Sequence, residues 1–132
     1  MNSELGNLRK KRAEELMSAP SNRAGSFVSG PEKLSDVTFD DYVKGHGLAV
    51  VDCYADWCMP CRMVSPIIED LSKEMQGKVA FGKLNVDENQ AIAMRYRVMS
   101  IPTLLIFKDG KLIDTIVGAM PKTALKSRIE GY

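Results

Sequence analysis

Two cysteines stand three positions apart in the run Trp57-Cys58-Met59-Pro60-Cys61, and no other stretch of the chain is as well equipped for chemistry. An apolar run from Leu48 to Ala55 leads into it, and a helical pattern from Arg62 to Gln76 follows. A CxxC where a strand hands over to a helix reads as a thiol–disulfide redox centre. Positions i and i+3 of a helix face the same way, so the two sulfurs can meet and close a short disulfide. Cys58 falls at the helix start, where unpaired N–H groups and the helix dipole favour negative charge. That favours its thiolate, the form that attacks disulfides, and marks Cys58 as the nucleophile. Cys61, one turn in and more enclosed, suits the second, resolving attack. Pro60 lacks an N–H, which matters little in a first helical turn, and it stiffens that turn.

The elements around the pair follow from pattern. Leu48 to Ala55 is apolar on both faces, as a buried parallel strand is. Asp52 interrupts it. A carboxylate in a central strand is costly unless paired or protonated, so Asp52 reads as a buried acid–base group beneath the disulfide. Cys53 points to the opposite face and reads as a small buried apolar residue. The helix after the motif buries Val64, Ile67, Ile68, Leu71 and Met75. Pro66 falls inside it and predicts a kink, and Gly77 ends it. Before the central strand, Lys33-Leu34-Ser35 is a short edge strand. Ser35 or Asp36 caps a helix through Val37, Phe39, Tyr42 and Val43. His46, between two glycines, is an exposed loop residue.

Downstream, Val79 to Val86 is the next strand, and Asp87 caps a short helix through Ile92, Ala93 and Tyr96. Ser100-Ile101-Pro102-Thr103 precedes a strand from Leu104 to Phe107, with the proline at the strand start. Asp109-Gly110 is a two-residue hairpin signal. It leads to a strand from Leu112 to Val117. Gly118 allows a close backbone approach. Thr123 to Ile129 closes the chain as a helix, with Pro121 near its start. The order β-α-β-α-β-α-β-β-α predicts an α/β fold, a mixed central sheet with helices on both faces.

Composition narrows the function. With 132 residues the chain forms one domain with a real core. A formal net charge of +1 gives no general reason to expect a nucleic-acid or membrane partner. No apolar stretch approaches a membrane span, and the first residues lack the apolar core of a signal peptide. A reducing cytoplasm is therefore the expected compartment, where a CxxC is catalytic or metal-binding rather than a staple. A closed zinc site wants four ligands, usually as two close pairs. The second pair is missing, so zinc ranks below redox chemistry.

Residues 1–31 stand apart as an extension to a domain over residues 32–132. Leu5, Leu8, Leu16 and Met17 recur at nearly helical spacing, which predicts a short amphipathic helix over Asn2 to Met17. Residues 18–26 are small and polar, a linker. Arg9-Lys10-Lys11-Arg12 reads as a solvated helix face balanced by Glu14 and Glu15, in preference to a nucleic-acid patch.

The motif Trp57-Cys58-Met59-Pro60-Cys61, with Val51-Asp52 before it and Ile101-Pro102-Thr103 after it, resembles the thioredoxin family, and the likeness runs from about Glu32 to Tyr132. Met59 is a departure, since the family usually has glycine there. The resemblance implies the thioredoxin fold, a kink proline at Pro66 and a cis Ile101–Pro102 bond facing the cysteines. It implies that Asp52 helps deprotonate Cys61, with Lys83 as its charge partner. It also implies reduction of disulfide-containing proteins through a Cys58–Cys61 disulfide, with no other cofactor. Recharging would come from a thioredoxin reductase, flavin-dependent or ferredoxin-linked. A cis bond would turn the Ile101 backbone outward, to pair with an extended substrate as an added strand does. Trp57, Met59, Pro60, Ile101, Pro102 and Gly118 form the expected docking surface, which Met99 would enlarge. Nothing demands more than a monomer. The competing readings are a disulfide isomerase or oxidant, a glutaredoxin, and a binding module on the same scaffold.

Overall fold

A computed structural model of the chain describes residues 30–132. The helix expected over Asn2 to Met17, its basic run and the linker after it lie outside these residues.

The elements alternate as the patterning predicts. Strand β1 spans Glu32–Leu34, helix α1 Phe39–Lys44, strand β2 Leu48–Tyr54 and helix α2 Met59–Glu74. Strand β3 spans Ala80–Asn85, helix α3 Gln90–Arg95, strands β4 and β5 Thr103–Lys108 and Lys111–Val117, and helix α4 Lys122–Glu130. One five-stranded sheet forms in the order β1-β3-β2-β4-β5. β2 lies parallel to β3 and antiparallel to β4, so the sheet is mixed and β2 is central. The β4–β5 hairpin turns at Asp109 and Gly110, both at positive φ (52° and 83°), as a tight two-residue turn requires.

Each face of the sheet carries its own core. On one face Val50, Phe81, Leu104 and Ile106 pack against Val64, Ile68 and Leu71 of α2 and Leu125 and Ile129 of α4. On the other, Ala49, Val51, Cys53, Leu84, Leu105 and Phe107 pack against Phe39 and Val43 of α1 and Ile92 of α3. Phe39, Tyr96 and Phe107 meet there with ring centroids 5.3–5.6 Å apart. The alternation of side chains along each strand produces the split. Residues 50 and 52 of β2 therefore face α2, while 51 and 53 face away from it.

Two local expectations are corrected. Asp87 does not cap α3. Asp36 does so from across the fold, its carboxylate accepting the N–H groups of Ile92 (2.9 Å) and Ala91 (3.4 Å). α1 starts at Phe39, and Ser35 instead takes the N–H groups of Val37 and Thr38 in the turn before it. Gly118 meets the chain's own backbone at the Pro102 carbonyl, 2.8 Å from its N–H, while a Cβ there would meet nothing within 4 Å. Its glycine answers to a φ of 93°, which side chains other than hydrogen resist. A register shift at Ile106/Phe107 leaves Ile113 unpaired opposite β4. No alternation pattern announces such a bulge.

Candidate active site

β2 ends at Tyr54, the chain turns through Ala55 to Trp57, and α2 begins. Cys58 is the N-cap of α2, with extended backbone (φ −87°, ψ 109°). Its Sγ accepts the N–H of Cys61 at 3.2 Å. A sulfur here meets one of the donors that a helix start leaves without an internal partner. A negative sulfur gains most from that bond. The Cα atoms of Cys58 and Cys61 are 5.3 Å apart and the two sulfurs lie at disulfide distance. Pro60 sits in the first turn, where its missing N–H breaks nothing. Pro66 lies inside the helix.

Cys61 was expected to be the more enclosed cysteine. In the disulfide state the two are alike, at 4% and 3% exposure. Their surroundings differ instead. Cys61 lines a crevice of about 350 Å³ together with Asp52, Lys83, Tyr54, Ala55, Asp56, Arg62 and Ser65, and Cys58 does not. A second crevice, of about 400 Å³, holds neither cysteine.

Asp52 is 3% exposed, and one of its carboxylate oxygens has no hydrogen-bond partner. Burial pushes its pKa up to about 7, and the charge of Lys83 opposes part of that rise. Lys83 is its register neighbour on β3, on the same face of the sheet, and is half-buried. No ion pair within 4 Å joins them among the described residues, so Lys83 acts as a nearby charge rather than a bonded partner. Cys53, the next residue, points into the other core. Its thiol is pushed up to about 12, first by burial and then by the Asp52 charge, which leaves it inert.

The expected docking residues differ in exposure and contacts. Trp57, Met59 and Met99 are 69%, 65% and 90% exposed, and Pro60 is exposed too. Ile101 packs against the cluster of Ala55, Cys58 and Cys61. The Ile101–Pro102 bond is cis. Pro102 itself is buried, and its carbonyl accepts the Gly118 N–H at 2.8 Å, which ties the two segments together. His46 is exposed, in a loop distant in sequence from the pair, with Nδ1 2.7 Å from the Tyr42 carbonyl oxygen.

Residues that sequence reasoning passed over also belong here. The carboxylate of Asp87, read as a helix cap, accepts the Trp57 indole N–H at 2.8 Å. Arg62 donates to the Asp56 carbonyl at 3.0 Å at the crevice mouth. The spacing of Cys61, Arg62 and Ser65 along one helix face could have pointed to the crevice. Nothing local could have pointed to Asp87, which lies 30 positions from Trp57. No three His, Cys, Asp or Glu side chains gather as metal ligands among the described residues. Nor is any helix among them long and apolar enough to cross a membrane.

Comparison with known proteins agrees with this geometry. Residues 30–131 match the family model described as Thioredoxin. The chain is 47% identical over 106 residues to a thioredoxin from Synechocystis, covering 80% of this chain and 99% of that one. It is 46% identical over 100 residues to a thioredoxin from Staphylococcus saprophyticus, covering 76% and 95%. Among solved structures it is similar to a mutant thioredoxin from Halobacterium salinarum NRC-1. The TM-score is 0.74 and the identity 38%, over 82% of this chain and 96% of that chain.

Proposed function

The chain belongs to the thioredoxin family and is a thiol–disulfide oxidoreductase that reduces protein disulfides, and on that premise we propose that Cys58 attacks and Cys61 resolves. The observation that carries this assignment is the helix-start sulfur of Cys58, bonded to the Cys61 N–H, with Asp52 and Cys61 lining one crevice.

The Cys58 thiolate attacks one sulfur of a substrate disulfide. A mixed disulfide forms, and the first substrate sulfur leaves as a thiolate that takes up a proton. Asp52, ionised, accepts the proton of Cys61. The Cys61 thiolate then attacks Cys58 Sγ, closes the Cys58–Cys61 disulfide and expels the second substrate thiolate. Two electrons have passed to the substrate. A carboxyl with a pKa near 7 suits this transfer, because it takes and returns a proton near neutrality. Lys83 keeps that value from rising further.

Trp57, Met59, Pro60, Ile101, Pro102 and Gly118 form the docking surface, with Pro102 acting through its backbone from a buried position. Met59 and Met99, exposed and unbranched, enlarge it into an adaptable apolar patch. Equal turnover of several protein disulfides by wild type and Met59→Gly would contradict that part.

Thioredoxins are recharged by a thioredoxin reductase; here we assign a flavin- or ferredoxin-dependent one. The working unit is a monomeric domain over residues 32–132, cytoplasmic, with the redox disulfide as its only prosthetic element. The test is trapping. Cys61→Ser should accumulate mixed disulfides through Cys58, and Cys58→Ser should accumulate none. A Cys61→Ser variant that captures no disulfide protein overturns the assignment.

A further inference from the structure

Asn85, the last residue of β3, is 4% exposed. Its Oδ1 accepts two backbone N–H groups, those of Asp87 at 2.9 Å and Glu88 at 3.2 Å. These bonds fold the chain sharply after the strand. From that turn the Asp87 carboxylate reaches the Trp57 indole. The turn is held from behind as well. Asn89, 7% exposed, donates from its amide to the Asn85 carbonyl at 3.1 Å and accepts the Asp36 N–H at 2.9 Å.

Asp87 and Trp57 both lie on the surface, where water competes for the indole N–H and for the carboxylate. Such a bond has modest net strength and fixes a ring only if its acceptor is already in place. The buried amide of Asn85 supplies that placement. A polar side chain is costly in a core unless its bonds are made; here both bonds of its Oδ1 are made to the turn that carries the Trp57 partner.

We propose that Asn85 is a positioning residue for substrate docking: it shapes the turn that presents the Asp87 carboxylate, and so sets the orientation in which Trp57 meets an extended segment of a disulfide-containing protein. This rests on the docking role proposed for Trp57.

The chain has a single tryptophan, so red-edge-excited emission reports Trp57 alone. Asn85→Ala should move that emission in the direction that Asp87→Ala does. It should raise KM for a protein disulfide about five-fold, the loss of one modest hydrogen bond, with kcat moved less. Asn85→Asp keeps an acceptor for both N–H groups and should restore emission and KM. Asn85→Ala combined with Asp87→Ala should add nothing to Asp87→Ala alone. If the alanine variant does not fold, Asn85→Ser should show the same changes at smaller size, since its short hydroxyl cannot serve both donors. Wild-type emission and KM in a folded, merely less stable variant would overturn the proposal, as would additive effects in the double variant. Trp57→Ala separates the two readings. If it leaves KM unchanged the docking role fails, while the emission series still decides whether Asn85 orients Trp57.

Discussion

Asp52 and Cys53 are adjacent on the same central strand and almost equally buried, yet they belong to different regions with different work. Cys53 joins the face covered by α1 and α3, a layer closed by aromatic rings and aliphatic side chains. Asp52 joins the face covered by α2 and α4, which opens near the strand end into the crevice shared with Cys61, Lys83 and Ser65. Burial alone makes neither residue reactive. A thiol in the closed face is pushed to about 12 and idles, whereas a carboxyl on the open face rises only to about 7, where it can exchange protons. Which side of the pleat a residue occupies decides whether its burial is packing or chemistry.

The largest effect that would break this contrast is on stability at the open face. Burial raises the Asp52 pKa from 3.8 to about 7, so the folded chain holds that proton more tightly than the unfolded one. The stability this confers is full below about pH 4, falls as pH climbs towards 7, and is flat beyond. That rise corresponds to on the order of 4 kcal/mol. Asp52→Asn should therefore match wild type near about pH 4 and exceed it at about pH 8 by an amount of this order, by denaturant unfolding. A gain that does not grow with pH would contradict the assignment.

At the closed face the opposite sign is expected. Phe107→Ala should cost about 3–5 kcal/mol at every pH, from lost burial and a cavity among three rings. It should leave the reduction potential unaltered. Next in size, Cys53→Ser should cost about 1–3 kcal/mol by burying a hydroxyl among apolar groups, again without changing turnover. The smallest effect is at Arg97, which follows α3 with a φ of 55°. Arg97→Gly should add about 0.5–1 kcal/mol, since glycine holds that conformation without a Cβ clash. A loss of stability there would show that the Arg97 side chain is worth more than its strain.

The pair and the face it sits on are legible in the sequence, because both depend on short-range spacing. Cys58 and Cys61 share a helix turn, and Asp52 and Cys53 alternate about a strand. The hairpin at Asp109-Gly110 was equally plain, since two positive-φ positions in succession select those residues. What escaped notice was set by contacts between distant parts of the chain. Asp87 looked like a cap because an aspartate before a helix usually is one. Asp36, 56 positions from Ile92, does the capping, which leaves Asp87 free for Trp57. In the sequence Asn85 is one more residue of a strand from Val79 to Val86. The turn that gives its side chain a purpose is visible only once β3 stops. Gly118 carries a positive φ beside the close backbone approach expected of it, and the two demands select the same residue.

The most direct measurement follows the resolving step itself. A mixed disulfide on Cys58 is formed with a chromogenic thiol, and its release by Cys61 is timed across pH in wild type and Asp52→Asn. The rate in wild type should rise through an inflection near pH 7, the value at which Asp52 ionises, and the variant should lose that inflection and run slower by roughly 10²-fold, the usual worth of a positioned proton acceptor. Identical profiles for the two proteins would show that Asp52 is a buried structural carboxyl and that the open face owes its chemistry to the cysteines alone.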